Sequence, residues 1–351
     1  MFNSRMLAVL PLLLLAAPVQ AAPLTAAEIL GQFNAIIRNN FASPSDVEGR
    51  TVVGGNLTQG ATFFSKPGAA AASGFQALTV YGTVGNGNLN LNNGGGVAIA
   101  GSNQANINMN GGGTLTIGGA NTGNINVNGG SATIAGANAG SINANGGTVS
   151  VGSPVPALPG FQATFIDPLL QLSQDLAALA ADSFVPAAGG SGWPNNVPLT
   201  AEPGTGLAVF NVTTTYLSSL ASFTVELNGR SGAVFNVTGG SYAGNANYNN
   251  AVSVANNVIW NFLDATSITF NRQWGGTVLA PLAHVTNGTP IEGTLFANSY
   301  GGTGELHSRP FTAALPDVPT GSDSVNIPSP AALALFGFGL AMLAGVRARR
   351  A

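Results

Sequence analysis

Between residues 80 and 151 the apolar positions come in pairs two residues apart, and the pairs recur at a nearly constant interval. Leu89, Ile107, Ile125 and Ile142 are separated by 18, 18 and 17 residues, and their partners Leu91, Met109, Val127 and Ala144 keep step. A second series, Val97/Ile99, Leu115/Ile117, Ala132/Ile134 and Val149/Val151, recurs at 18, 17 and 17. Spacing of two is the strand period, and Gly-rich turns separate the pairs, so each repeat predicts two short strands. Self-similarity at a fixed period predicts a solenoid. Its coils stack about 4.8 Å apart and pool their inward residues into one core.

Around this block the pattern changes. "LTAAEILGQFNAIIRNNF" (24–41) predicts a helix, with Thr25 and Glu28 as a capping box and Ile29, Phe33, Ile36 and Ile37 as its apolar stripe. "SDVEGRTVVGGNLT" (45–58) reads as a turn into a strand. After "PVPALPG" (154–160), "IDPLLQLSQDLAALAADSF" predicts a second helix, with Asp167 as N-cap, Pro168 at the first helical position, and Leu169, Leu172, Leu176 and Leu179 on one face. From 206 to 312 short strand-like segments such as "LAVFNVT", "AVFNVTG" and "GTLFANS" predict further coils with longer loops. The expected fold is all-β dominated, a parallel β-helix (β-solenoid) with one or two helices packed alongside.

If the paired apolar residues point inward, their neighbours point out. These are Asn88, Asn90 and Asn92; Asn106, Asn108 and Asn110; Asn124, Asn126 and Asn128; and Ser141, Asn143 and Asn145. Asn is a poor strand former, so its alternation here calls for a reason. Stacked coils align these residues into three ladders on a flat neutral face. Such amides can bond rung to rung, as in cross-β assemblies, or form a regular surface for an extended partner. Asn90, Asn108, Asn126 and Asn143 are the candidate ligand face.

The two ends carry export patterns. Arg5, the apolar run Met6–Ala17 and the small residues Val19 and Ala21 predict a signal peptide over 1–21, cut at Ala21. At the other end Pro328-Ser329-Pro330 precedes 16 uncharged residues (331–346) and then Arg347, Arg349 and Arg350. The pattern predicts a short apolar helix whose basic end stays in the cytoplasm. The arrangement over 328–351 resembles the PEP-CTERM sorting signal of Gram-negative bacteria, with Ser329 where the family usually has Glu. The resemblance implies transient anchoring in the inner membrane and removal of the tail by an exosortase, after signal peptidase has acted. Residues 313–327 are expected to form a polar linker.

"FNAIIRNNFASPSDVEGRTVVGGN" (33–56), "NVIWNFLDATSITF", "GGTVLAPLAHVT" and "IEGTLFANSY" resemble the choice-of-anchor A domain, which is taken to span 22–312. That resemblance implies a protein of the cell surface or extracellular matrix, joined to different anchors in different members. The resemblance leaves the ligand unspecified; exopolysaccharide or a matrix protein is the partner that the regular polar face suggests.

Charge changes the picture in one way. Only 7% of residues are charged, against roughly 25% in an average domain. Removal of both ends leaves six basic against thirteen acidic residues, a net charge of −7 with no basic footprint for nucleic acid. There is no Cys, so thiol catalysis, thiolate metal sites and disulfides are excluded. No G-x-S-x-G elbow accompanies His284 or His307, and both are expected in turn or strand-end packing. Asp264, Glu292 and Glu305 stand apart in sequence, and Asp46 and Glu48 fall in a turn beside Arg50, which predicts a local salt bridge. Lys66, the only lysine, reads as a solvated loop residue. No catalytic, cofactor or metal residue is assigned. The expected function is non-enzymatic surface adhesion or matrix structure. The alternatives are a carbohydrate-active β-helix enzyme and a binder of a repetitive surface, polysaccharide or ice.

Overall fold

The computed structural model describes residues 24–66, 73–189 and 194–315, and the elements below belong to one compact unit ending at Ala314. The strands pair in parallel, coil upon coil, into a three-faced β-solenoid. One face is a long sheet of twelve strands, from which Ser241–Gly244 and Ser267–Phe270 branch at the second half of Thr277–Asn287. A second carries Thr62–Phe63, Asn88–Leu91, Asn106–Met109, Ile125–Val127 and Ile142–Asn143. The third is narrow in the first half of the chain, where single bridges join Phe41, Leu57, Val84, Asn103, Asn121 and Asn138.

The order of coils in space differs from their order in sequence. Phe33–Ile37 lies in the middle of the long sheet, and coils leave it on one side through Arg50–Val53, Leu78–Val80 and onward to Val149–Val151. The chain then passes through the helix Asp167–Ala178 and restarts at the opposite end with Leu207–Thr213. From there it returns through Gly232–Thr238, Val258–Phe262 and Thr277–Asn287 to Leu295–Tyr300, which pairs with Phe33–Ile37. The second half of the sequence therefore occupies the first half of the solenoid.

The seam between the halves is densely bonded. Ala35, Ile36 and Ile37 register with Leu295, Phe296 and Ala297. Buried Asn34 donates from Nδ2 to Gly293 O (2.8 Å) and His307 O (3.1 Å), and its Oδ1 accepts from Gly49 N (3.0 Å). Arg38 Nη1 donates to Pro281 O (2.8 Å), and Thr294 Oγ1 donates to Phe33 O (2.9 Å). Phe41 and Tyr300 are in bridge register, with ring centroids 5.0 Å apart.

The two halves are filled differently. Aliphatic residues such as Leu89, Ile107, Leu115 and Ile125 make the first core. In the second, Phe210, Phe235 and Trp260 stack in register at 4.5 and 4.2 Å. A column of Asn236 and Asn261 docks the long helix: Asn236 Nδ2 donates to Leu176 O, and Asn261 Nδ2 donates to Ser173 O, each at 2.8 Å.

Several expectations need correcting. The first helix covers only Ala26–Gln32; its capping box is present, but Phe33–Ile37 is a strand. Pairing on both sides outweighs the helical spacing, because β-branched Ile36 and Ile37 fit a doubly paired strand. The long helix ends at Ala178, and Asp167 is not its N-cap: a π-helical turn over Gln162–Ile166 leads directly into it. Val149 and Val151 remain 44% and 49% exposed, because no later coil covers them.

The bonds of Asn34 predict a large cost for losing its side chain. Asn34→Ala strands two buried carbonyls and one N–H, at about 2–3 kcal/mol. Urea denaturation at constant m-value is the check.

Candidate functional site

The second face of the first half presents the asparagines outward, on a lattice of about 4.8 Å between rungs and about 6.6 Å between alternate residues of a strand. Leu89, Leu91, Ile107, Met109, Ile125 and Val127 are buried behind it, which forces the intervening residues out. The first outer column joins Asn106 Nδ2 to Asn88 Oδ1 (3.1 Å), then Asn124 N to Asn106 Oδ1 (3.1 Å), and Ser141 Oγ to Asn124 Oδ1 (2.8 Å). The other outer column runs Asn92, Asn110, Asn128 and Asn145, each amide donating to the rung before it.

The central column is less self-satisfied. Asn90, Asn108, Asn126 and Asn143 stand in register. Asn108 Nδ2 donates to Asn90 Oδ1 at 3.2 Å, and Asn143 Oδ1 accepts from Asn145 N. Asn126 Oδ1 is buried and finds no donor among the described residues. The midline is thus bonded less completely than the two outer columns. On the long sheet, exposed or half-buried hydroxyls form two more rows, Thr114/Ser131/Thr148 and Thr116/Thr133/Ser150. No charged residue occurs from 67 to 166, so both surfaces are neutral.

A further amide ladder lies inside, at the narrow third face. Asn103 Nδ2 donates to Asn121 Oδ1 (2.7 Å), and Asn121 Nδ2 to Asn138 Oδ1 (2.6 Å). Each also donates to the carbonyl two residues on, Ala105, Gly123 or Gly140. Asn103 and Asn121 are fully buried. Their 18- and 17-residue spacing is that of the coils, so the signal was present, hidden among the other asparagines.

Charged groups meet in one place, where the last coil of the second half abuts the first coil of the chain (Val47 opposite Leu306). His307 Nδ1 lies 2.7 Å from Glu292 Oε1, and its Nε2 2.7 Å from Glu305 Oε2 and 3.8 Å from Glu48 Oε1. Lys66 pairs with Glu48, Arg309 Nε lies 3.3 Å from Glu292, and Gln273 Nε2 donates to Glu292 Oε1. Glu292 and Glu305 are therefore not isolated, Lys66 is ion-paired, and Glu48 bonds Lys66 and the Ser308 N–H (2.9 Å). The Arg50 guanidinium lies over the Phe64 ring at 5.1 Å, not in the expected local bridge. Glu292 and His307 are register partners on consecutive coils, whereas Glu48 meets His307 and Ser308 only because the coil order is permuted. His284 Nδ1 lies 2.8 Å from Ser299 Oγ on another rung, and Asp264 accepts from Gly239 N.

Burial opposes a charge on His307, but the carboxylates of Glu305 and Glu292 outweigh it and hold its pKa above the usual 6.5. Burial likewise pushes Glu292 up, and the hydrogen bond and charge of His307, with Gln273 and Arg309, bring it below 4.5. The cluster is an internal network of paired charges. Among the described residues no group of His, Asp or Glu is arranged to hold a metal ion.

Ala21, Pro328, Ser329, Pro330, Arg347, Arg349 and Arg350 lie outside the described residues. Among the described residues no helix is long and apolar enough to cross a membrane.

The repeated neutral face and the solenoid beneath it agree with a match to the family described as "Putative Ice-binding-like adhesive domain", over residues 26–116 and 108–308. The chain belongs to this ice-binding-like adhesive domain family. No curated protein matches it. Among solved structures it is similar to an ice binding protein from an Antarctic bacterium, Flavobacteriaceae, at 17% identity over 78% of this chain and 81% of that one, with a TM-score of 0.27.

The adhesive domain's charged cluster makes its stability depend on pH. The raised His307 stabilises the fold fully below pH 6.5, and that contribution is lost as pH rises through its folded value. The lowered Glu292 contributes fully above pH 4.5, with loss as pH falls through its folded value. The melting temperature should plateau between these limits and fall on both sides. In thermal melts across pH, His307→Gln should lower the plateau and remove the alkaline decline.

Proposed function

We propose that the protein is an exported, non-enzymatic surface adhesin whose first-half coils hold an extended, uncharged polysaccharide. The observation that carries this reading is the neutral lattice: 100 consecutive residues without a charge, folded into coils whose outward positions are Asn, Ser and Thr. Amides and hydroxyls both donate and accept, which suits the hydroxyls of a glycan. A regular rung spacing suits a repeating chain, because each added unit finds the same groups again. Asn90, Asn108, Asn126 and Asn143 form the midline of that surface.

The sorting pattern over 328–351 and the signal over 1–21 support a place on the surface or in the extracellular matrix of a Gram-negative bacterium. On this reading signal peptidase cuts at Ala21, and an exosortase acts on the tail at Pro328-Ser329-Pro330 ahead of Arg347, Arg349 and Arg350. The family match and the choice-of-anchor A resemblance support an adhesive role rather than a catalytic one.

A second reading, binding to ice, is favoured by the paired hydroxyl rows: Thr-x-Thr at 114–116, Ser-x-Thr at 131–133 and Thr-x-Ser at 148–150 stack in register. These rows and the asparagine face are different sides of the molecule, so substitution separates the readings.

Pull-down on cellulose, dextran and the exopolysaccharide of the producing cells should show binding that molar salt does not weaken, since no ion pairs take part. Asn108→Lys should weaken it about tenfold or more while the melting curve stays close to the parent's, because a single lysine meets no like charge on the rungs above and below. Absence of binding to every uncharged glycan, together with shaping of ice crystals that Thr116→Lys abolishes, contradicts the first reading and supports the second.

A further inference from the structure

The two ends of the solenoid are finished differently. At the end bearing Leu207–Thr213, the edge is covered: Asp182 N and Ser183 N both donate to Val209 O (3.1 Å each), and Asp182 Oδ1 accepts from Val209 N (2.8 Å). Arg230 holds Asp182 in place at 2.8 Å. The neighbouring edge strand Asn196–Thr200 contains Pro198, and the helix Thr214–Ser219 packs against Ser241–Gly244. Covering segments and proline are devices that keep a strand edge from pairing with another chain.

Among the described residues the opposite end has none of these. Val149–Val151 pairs with Ser131–Ile134 on one side, and Ile142–Asn143 with Ile125–Val127, while their outer edges are unpaired among the described residues. On the third face Asn138 Nδ2 donates to Gly140 O but has no next rung to bond. Val149 and Val151 are 44% and 49% exposed, two of the five large hydrophobic residues exposed among those described. No Lys, Arg, Asp or Glu lies anywhere in the coils that form this end.

We infer that this end is an interface, and that its occupant is the same end of a second copy, which gives a closed two-fold dimer. Three features single out that partner. The end offers unpaired edges on three faces at once, so a partner must present the same three-sided cross-section. It is free of charge, so two copies of an acidic chain meet where they repel least. The other end is covered, so head-to-tail stacking has no second socket, and only the isologous contact closes. Turning one copy over sets Val149–Val151 antiparallel to its counterpart and buries both valines of each copy.

The test uses the exported protein in light scattering behind size-exclusion chromatography at micromolar concentration. The expected mass is that of two chains. Val149→Lys with Val151→Lys sets like charges face to face and should raise the dissociation constant about 100-fold, while circular dichroism and melting stay near the parent because both side chains are half exposed. The chain has no cysteine, so Ser150→Cys introduces a single thiol at the centre of the edge strand. Mild oxidation should link it into a dimer, an outcome that stands even if the lysine variant fails to fold. A parent that is monomeric at all these concentrations with an unlinked Ser150→Cys variant, growth into filaments, or a dimer that forms only after residues 316–351 are removed would each overturn the inference. The last outcome would make that segment the occupant of the end.

Discussion

The structure depends on one strand pair, Phe33–Ile37 against Leu295–Tyr300. A coil of a solenoid cannot bury its own core and survives by stacking on neighbours. The first coil of this chain has its next coil on one side only. On the other side its neighbour comes from about 260 residues further on, across the register Ala35–Leu295, Ile36–Phe296 and Ile37–Ala297. Without that pairing the molecule is two shorter solenoids, each with a raw end exposing aromatic or aliphatic core. With it, one core runs from the Phe210–Phe235–Trp260 stack to Ile134. The buried Asn34, the Arg38–Pro281 bond and the His307 cluster all gather at this junction. So long-range a closure also implies slow folding, since loop entropy is spent before the seam rewards it.

Asparagine solves the same packing problem in three settings. In a parallel stack every column repeats at about 4.8 Å. A column of like charges at that spacing costs roughly 3 kcal/mol per neighbouring pair at an effective dielectric of 20. An amide is neutral and carries both donor and acceptor, so it can bond its own copy on the next rung. Inside the corner, Asn103, Asn121 and Asn138 do this while also holding a backbone carbonyl. Under the long helix, Asn236 and Asn261 bond each other (2.9 Å) and the helix backbone. On the outside the same ladder makes a neutral surface. From residue 67 to 166 the coils carry no charge, and the neutral face follows from that.

How much of this the sequence revealed follows from how local each feature is. The coils were legible because Leu89, Ile107 and Ile125 repeat at the coil length, and the outward asparagines were legible as their complement. The ending of the first helix at Gln32 was not, because Ile36 and Ile37 satisfy helix spacing as well as strand propensity, and only the two flanking strands decide between them. The exposure of Val149 and Val151 was hidden for a related reason: inward spacing does not tell which coil is last. The seam leaves no periodic trace, since Glu48 reaches His307 only through the permuted order of coils, while Glu292 and His307 sit opposite each other on consecutive coils with no repeat of charge to announce them. The corner ladder was in plain view at coil spacing, but it was masked by the same residue type on the open face.

The central claim is that the two halves are one cooperative solenoid closed at Phe33–Ile37. Native-state hydrogen exchange read by mass spectrometry tests it most directly, by comparing amides of Phe33–Ile37 and Leu295–Tyr300 with those of Thr114–Ile117 and Gly232–Thr238. A single unit predicts that the seam amides are protected as strongly as both interiors and open only with them. Seam amides that exchange well ahead of either interior, with the halves then opening at separate free energies, would contradict the account.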